Sequence, residues 1–199
     1  MVAIVSVLAA IGWGLFQDRV TSHRMIGVSK MLYNDIVTLR SLAVDSNRET
    51  RLLLVEGDEQ LDPEDAQHGA WRLQMGDKSS GSTEWDTLPP DRDGVVSEAD
   101  GIRSLERDGE NETTAVSLAM WSTLEDDAIV FTPRGWVGNR ASDFDSGYIT
   151  LSLVNKRALA DGIDERGVLR IARSGFVRLE LGQNSALADG AVGSGATSR

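Results

Sequence analysis

The chain has 199 residues, no cysteine and a formal net charge of −11 at pH 7. The lack of cysteine excludes disulfides, cysteine-based zinc sites and a thiol nucleophile. Residues 45–112 hold 19 of the 31 acidic residues but only 7 of the 20 basic ones, so this segment carries most of the negative charge. A chain this acidic repels nucleic-acid phosphates, and no nucleic-acid partner is expected.

The first 16 residues contain no charged side chain. A membrane-spanning helix needs about 20 apolar residues, so the run is slightly short for one. A secretory signal is disfavoured, because no Lys or Arg precedes the apolar run and bulky residues follow Ala9 and Ala10. A core helix of a soluble domain would have a polar face, whereas Ser6 is the one polar residue here. The run predicts a helix suited to lipid or to a filament core, with packing residues Ile4, Val7, Leu8, Ile11, Trp13, Leu15 and Phe16.

After residue 17 the apolar pattern becomes one-sided. Apolar residues recur at helical spacing, which predicts a stripe packed on the rest of the protein; these residues are Val28, Leu32, Ile36, Leu39 and Ala43. No proline precedes Pro63, so one long helix is predicted from near the N-terminus to about Asn47. Residues 1–17 are its membrane-spanning or filament-core part, and residues 18–50 contain its amphipathic continuation.

Short segments rich in β-branched or aromatic residues predict an antiparallel β domain over residues 51–181. The predicted strands are residues 51–55, 70–75, 113–121, 128–132, 147–154, 168–173 and 176–181. Ser174-Gly175 is predicted to join the last two as a two-residue hairpin connection. Acidic loops are predicted at 56–69 and 76–111, and a disordered tail at 182–199. The predicted fold class is α+β, a long N-terminal helix packed on an antiparallel sheet or sandwich.

The sequence contains no recognisable catalytic constellation. His23 and His68 are its only histidines, and both are predicted to lie on the surface. We therefore expect a protein that is not an enzyme and binds no cofactor. Calcium is the one metal left open, because hard cations prefer several oxygen ligands and carboxylates cluster in one acidic segment. The cluster, which lacks the spacing of an EF-hand, consists of Asp58, Glu59, Asp62, Glu64 and Asp65.

The opening MVAIVSVLAAIG, its amphipathic continuation and the β-rich remainder resemble type IV pilin-like proteins. Several later segments resemble the minor pseudopilin of type II secretion, the GspH/FimT type: LRSLAVDSNRETRLLL, AWRL followed by WDTLP, AIVFTPRGWV, GYITLSL and RIARSGFVRLE. The pattern F-x-P-x-G is formed by Phe131, Pro133 and Gly135. The resemblance extends over residues 1–181.

Two features depart from the family pattern. The processed F-T-L-I-E-L start with its glutamate is missing, and we expect about six to eight residues of it before Met1, which would bring the apolar run into the spanning range of about 17–25 residues. The helix-kinking proline of many pilins is also missing, and Gly14 lies near its place.

The resemblance implies a minor pseudopilin, a structural subunit at or near the tip of the type II secretion pseudopilus that assists export of folded proteins. It implies a single-pass inner-membrane protein with a periplasmic β domain, which enters the periplasmic filament on assembly. The implied partners are other pseudopilins or pilins, the inner membrane before assembly, and the secreted substrate. Two alternatives stay open: a minor pilin of a type IV pilus, and a membrane-tethered periplasmic binding module that never polymerises.

Overall fold

The computed structural model describes the backbone of residues 2–55, 69–88, 102–104, 118–155, 158–159 and 162–183. Side chains are described from residue 22 onward within these ranges, except at 102–104, 119 and 183. The predicted loop 56–69 falls almost wholly outside the described residues, and so do positions 184–199 of the predicted tail.

A single helix, α1, runs from Val2 to Ser46. Its C-terminal end lies within one residue of the predicted limit. The helix ends where Asn47 adopts a left-handed backbone conformation, with φ of 52°. Left-handed residues commonly terminate helices, and asparagine tolerates this conformation better than most residues. The Ser46 hydroxyl donates a hydrogen bond of 2.6 Å to the Leu42 carbonyl and so satisfies one acceptor of the last turn.

The described part of the β domain contains nine strands and one short 3-10 helix, Ala141–Asp143. The strands are β1 (Thr50–Val55), β2 (Ala70–Gly76), β3 (Trp85–Thr87), β4 (Ile102–Ser104), β5 (Leu118–Ser122), β6 (Ala128–Phe131), β7 (Tyr148–Asn155), β8 (Glu165–Ala172) and β9 (Val177–Gln183). Each of the seven segments predicted as strands overlaps one of them, and residues 113–117 of the third segment lie outside the described residues. Strands β3 and β4 lie within 76–111, which the sequence predicts to be a loop, and β9 extends two residues into the predicted tail.

The described strands form two antiparallel sheets. In the first, the order is β3-β2-β1-β6, and β4 pairs with the same edge of β2 as β3 does, further along the strand. In the second, the order is β5-β7-β8-β9. Buried and half-buried residues alternate along β1, as expected for a strand with one face on the core. The even residues Leu52 and Leu54 enter the core, whereas the odd residues are less buried.

The β8–β9 hairpin is present, but its predicted two-residue connection is wrong. Val177 pairs with Ile171, and the three residues 173–175 form the connection between Ala172 and Phe176. The Ala172 N–H donates to the Phe176 carbonyl at 2.9 Å, as in a type I turn that ends in a left-handed residue and a bulge. Gly175 supplies that residue with φ of 76°, a conformation that costs other residues more than glycine.

One core joins the helix to both sheets. Helix α1 contacts β1, β2 and β6 of the first sheet and β7, β8 and β9 of the second. Its buried side chains meet the inner faces of the sheets, where the largest buried side chains include Trp71, Phe131 and Met120. This confirms the predicted α+β class with a helix packed on antiparallel sheets.

Candidate interaction surface

The first described contact between helix α1 and the β domain is at Ser22. The Ser22 hydroxyl donates a hydrogen bond of 2.8 Å to Oε2 of Glu165, the first residue of β8. The Asn155 amide donates to the same oxygen at 2.7 Å, and its Oδ1 accepts from the Ala158 N–H at 3.2 Å. Because Glu165 is buried, this network holds the start of β8 firmly beside residue 22 of the helix.

Further along, the helix and β8 approach each other at Ser29 and Gly167. A Cβ placed on Gly167 would lie 2.3 Å from the Ser29 hydroxyl oxygen and 3.2 Å from its Cβ. Ser29 is fully buried, and its hydroxyl has no hydrogen-bond partner among the described residues. Glycine at this position therefore sets the distance between helix and sheet, because any side chain would push them apart.

In the middle of the helix, a buried polar contact connects it to the first sheet. The indole Nε1 of Trp71 donates a hydrogen bond of 2.9 Å to Oδ2 of Asp35. Trp71 is fully buried and Asp35 is 8% exposed. A buried carboxylate is stable only with hydrogen-bond donors, so this contact fixes the register of the helix against β2.

Two turns of the same design lie beside the C-terminal part of the helix. We call residues 132–136 and 172–176 the twin turns. In each, the glycine N–H donates to the carbonyl of the turn's first residue at 2.8 Å, and the first residue's N–H donates to the carbonyl of the fifth at 2.8 or 2.9 Å. Gly135 and Gly175 occupy the same position and have φ of 73° and 76°. The turns are thus two copies of one local geometry.

The twin turns are in direct contact with each other and with Arg40 of the helix. Nε of Arg40 donates a hydrogen bond of 3.0 Å to the Gly135 carbonyl. A Cβ on Gly175 would lie 2.1 Å from that same oxygen. The Val137 N–H, directly after the first turn, donates to the Arg173 carbonyl of the second at 2.9 Å. These contacts hold both turns in a fixed relative position.

Each twin turn ends in an exposed aromatic residue. Trp136 is 55% exposed and Phe176 is 62% exposed. Val44 of the helix, 50% exposed, lies beside the first of these turns, since its Cγ2 would lie 3.3 Å from a Cβ on Gly135. We call Trp136, Phe176 and Val44 the aromatic surface. Aromatic side chains held on rigid backbone are typical of binding hot spots, because little conformational entropy is lost when a partner covers them.

Three arginines belong to the twin turns or contact them. Arg40, Arg134 and Arg173 are exposed, and none of them forms an ion pair with a carboxylate among the described residues. The Arg173 guanidinium lies 4.8 Å from the centroid of the Phe144 ring. We call these three residues the arginine rim. A surface of this kind matches a partner that has an apolar centre and carboxylates around it. A symmetric contact with a second copy would instead bring like charges together.

The structure places the predicted helix stripe against the β domain. Leu32, Ile36, Leu39 and Ala43 are fully buried, and Val28 is partly buried against the same core. The buried face also contains residues that the periodicity did not select: Met25, Ser29 and Asp35. Ser29 and Asp35 carry no hydropathy signal that would predict their burial. The only sequence signal for the aromatic surface is a glycine followed by an aromatic residue after each of two strands.

The residues predicted to anchor the helix lie outside the described side chains, which begin at residue 22: Ile4, Val7, Leu8, Ile11, Trp13, Leu15 and Phe16. Within the part of the chain that the structure describes, no helix combines the length and apolar content that crossing a membrane requires.

The structure leaves the possibility of a calcium site untested. Asp58, Glu59, Asp62, Glu64 and Asp65 lie outside the described residues, as does His68. Among the described residues, no group of three or more His, Cys, Asp or Glu side chains is placed to hold a metal ion. His23, predicted to be on the surface, is exposed.

Comparison with known proteins gives likenesses of fold. The minor pseudopilin EpsH from the type 2 secretion system of Vibrio cholerae is 14% identical in sequence, with a TM-score of 0.49. The match covers 79% of this chain and 97% of the EpsH chain. The type IV minor pilin FimU of Pseudomonas aeruginosa is 14% identical, covering 83% of this chain and 92% of its own, with a TM-score of 0.43. Neither a protein-family model nor a curated protein matches the sequence.

Proposed function

We propose that this chain is a structural subunit of a pilin-like filament, a minor pseudopilin of type II secretion positioned at or near the filament tip. In this proposal residues 1–17 hold the subunit in the inner membrane before assembly, and the β domain lies in the periplasm. The same residues pack among helices of neighbouring subunits after assembly. The protein has no catalytic role and needs no cofactor; it assists the export of folded proteins across the outer membrane.

One observation carries this proposal: the helix that contains the uncharged run is the helix that forms part of the domain core. Helix α1 continues from Val2 to Ser46, and its residues from Ser22 to Ala43 contact both sheets. A tether that only retains a domain at a membrane needs no such continuity, and a flexible linker would serve. A rigid connection is required where force or position must be transmitted from the helix to the domain.

The composition of the N-terminal run supports the exchange that assembly requires. The first 16 residues are uncharged, and Ser6 is the one polar side chain among the first 11. A helix that is apolar on all faces is compatible with lipid and with the packed interior of a helical assembly. The subunit could therefore leave the membrane for the filament without exposing a polar face to lipid at any stage.

The aromatic surface and its arginine rim are the contact that we propose between the β domain and a neighbouring subunit. Trp136 and Phe176 are more than half exposed while their turns are fixed by Arg40 and by each other. A neighbour that presents carboxylates around an apolar patch would cover the surface, with the charges directing its approach.

Substitution of the N-terminal run tests the filament. Ile4→Asp and Val7→Asp should each abolish incorporation into the filament and secretion of its substrate, since a carboxylate in lipid or in a helical core costs about 3 kcal/mol. The matched control is Val37→Asp, the same change at a helix position that is 41% exposed. Normal secretion by the Ile4→Asp variant would overturn the proposal.

A membrane-tethered binding module is the second candidate, and the exposed aromatic surface favours it. Such a protein would tolerate a flexible insertion between residues 17 and 22, whereas a filament subunit should not. A Gly-Ser insertion at that point, measured against the same insertion in the exposed segment 79–81, distinguishes the two candidates. A type IV minor pilin would behave like the pseudopilin in both experiments, and deleting the pilus or the secretion genes separates those two.

A further inference from the structure

The turn between β7 and β8 exposes two aliphatic side chains at the end of the domain where the helix enters it. Leu159 is 46% exposed and Ile163 is 42% exposed. Among the described residues of this turn, the Ile163 N–H donates to the Ala158 carbonyl at 2.8 Å, and the Gly162 N–H donates to the Leu159 carbonyl at 3.0 Å. Gly162 has φ of 77°, which allows the chain to reverse at that point.

Three contacts show that β8 and the helix run in the same direction. Glu165 binds Ser22, Gly167 abuts Ser29, and Gly175 abuts Arg40. From Ser22 to Arg40 the helix rises about 27 Å. The strand from Glu165 to Ala172 covers about 23 Å, and the turn 173–175 carries the chain on to Gly175, so the two lengths are similar. Residues that precede Glu165 therefore lie towards the N-terminal end of the helix.

The turn thus lies at the level where the uncharged run ends. Ser22 follows Phe16 by six residues, or about 9 Å along the helix axis. Ile163 precedes Glu165 by two residues and can lie up to about 7 Å nearer the N-terminal end than Ser22. If the run occupies the hydrocarbon core, the polar layer of the bilayer begins there and extends for about 5–8 Å.

We propose that Leu159 and Ile163 insert into the interfacial layer of the membrane next to the helix. The partner is the lipid surface itself, and the inference rests on the proposed membrane anchoring of residues 1–17. The turn sequence KRALADGID, residues 156–164, contains two basic and two acidic residues and has no net charge. Asp164 in addition pairs with Arg166. Apolar contact, not lipid charge, drives the insertion, and zwitterionic lipid is sufficient.

The turn does not merely touch the membrane; it orients the domain. Because the helix and the β domain form one rigid unit, the helix alone would let this unit tilt relative to the bilayer. A second contact, held to the helix through Asn155, Glu165 and Ser22, restricts the tilt. The twin turns then remain at the far end of the domain, about 27 Å further along the helix, where a neighbouring subunit can reach them.

Spin labels provide the test, because the chain has no cysteine and any introduced thiol is unique. The variants Leu159→Cys and Ile163→Cys carry a nitroxide in the full chain, reconstituted in phosphatidylcholine vesicles. Phe176→Cys, at the far end, is the matched exposed control, and Leu8→Cys reports whether the helix is inserted. Accessibility of each label to oxygen and to a water-soluble nickel chelate is measured.

Interfacial insertion predicts several-fold lower nickel accessibility at 159 and 163 than at 176, with oxygen accessibility kept high. High nickel accessibility at 159 and 163, with Leu8→Cys shielded, would overturn the inference and leave membrane anchoring intact. Low accessibility to both reagents would mean that protein covers the turn, which also overturns it. A Leu8→Cys label exposed to nickel would overturn the anchoring itself and this inference with it.

Discussion

Trp71 and Asp35 form a hydrogen bond of 2.9 Å in the interior, where the indole of a strand meets a carboxylate of the helix. A carboxyl group buried in this position needs hydrogen-bond donors, because leaving a buried polar group unpaired is costly. The pair therefore fixes the helix in one rotation and one axial position against the first sheet. Apolar contacts alone would tolerate small rotations of the helix and small shifts along its axis.

Trp71→Phe should destabilise the protein by about 2–3 kcal/mol, because the buried carboxylate loses a donor while the ring volume shrinks. The control is Trp85→Phe, at a half-buried ring that faces the Arg51 guanidinium at 4.3 Å. A phenyl ring retains that stacking, so the control should lose less than about 1 kcal/mol. Urea unfolding of the full chain in mild detergent, followed by far-UV circular dichroism, measures the free energy of unfolding of each variant. Equal losses of stability in the two variants would contradict this role of the Trp71–Asp35 pair.

Ser29→Ala should stabilise the protein by about 1 kcal/mol, because it removes a buried hydroxyl that lacks a partner among the described residues. Ser41→Ala, on the exposed side of the same helix, controls for the better helix propensity of alanine and should gain only a few tenths of a kcal/mol. Similar gains at both positions would show that burial of the Ser29 hydroxyl carries no cost. The free energies of unfolding of the two variants are measured by the same urea experiment.

Gly167→Ala should destabilise by about 1–3 kcal/mol, since the new Cβ would lie 2.3 Å from the Ser29 hydroxyl oxygen. Ser29→Ala should relieve part of this clash, because the oxygen is the nearer atom and the Cβ lies at 3.2 Å. In a double-mutant cycle, the variant that carries both Ser29→Ala and Gly167→Ala should therefore be about 1 kcal/mol more stable than the sum of the two single changes predicts. Strict additivity would indicate that the helix and β8 adjust independently.

Gly175→Ala tests whether the twin turns depend on their contact. Its Cβ would lie 2.1 Å from the Gly135 carbonyl oxygen, and its φ is 76°, so conformational strain and overpacking should together cost about 3 kcal/mol or more. Gly147→Ala is the matched control: its φ is 86°, but no atom lies within 4 Å of the new Cβ. The control should cost only about 1–2 kcal/mol. Comparable losses in urea unfolding would mean that backbone strain accounts for both.

The periodicity of the sequence predicted most of the helix and where strands lie, because apolar spacing and turn residues determine both. The helix stripe at Leu32, Ile36, Leu39 and Ala43 is buried, as the spacing indicates. The periodicity could not predict the polar members of the same face. Asp35 and Ser29 resemble surface residues in sequence, and their burial depends on Trp71 and Gly167, which are distant in the chain.

Strands β3 and β4 also escaped prediction, for a different reason. Each has three residues and pairs with one end of β2, so tertiary pairing and not local propensity determines it. The β8–β9 hairpin was predicted correctly as a hairpin, but a glycine in a turn fits either a two-residue connection or a longer one with a bulge. The register between Ile171 and Val177 decides between them, and the sequence does not reveal that register.

The aromatic surface gives a final prediction. Replacing Trp136 and Phe176 together by alanine should weaken subunit contact by more than tenfold, because each anchor residue of a hot spot is worth about 2 kcal/mol or more. Stability should change little, since both side chains are more than half exposed. Tyr148→Ala, at an aromatic residue 37% exposed outside the twin turns, is the control. Secretion by cells that rely on this subunit, with unfolding measured in parallel, checks the effect.

The arginine rim makes that prediction specific. Arg134→Glu combined with Arg173→Glu should reduce secretion as well, because the reversed charges would repel the carboxylates of the partner. A rise in salt concentration should weaken the contact made by the unmodified protein, because exposed charges are screened within about 10 Å at 0.1 M salt. Arg178→Lys, a charge-conserving change at a 67% exposed side chain, should have no effect. If the aromatic replacement impairs secretion and charge reversal does not, the partner is apolar without the surrounding carboxylates. If neither does, the β domain meets its neighbours elsewhere, because a surface that contributes to assembly must respond to the loss of both its apolar centre and its charge.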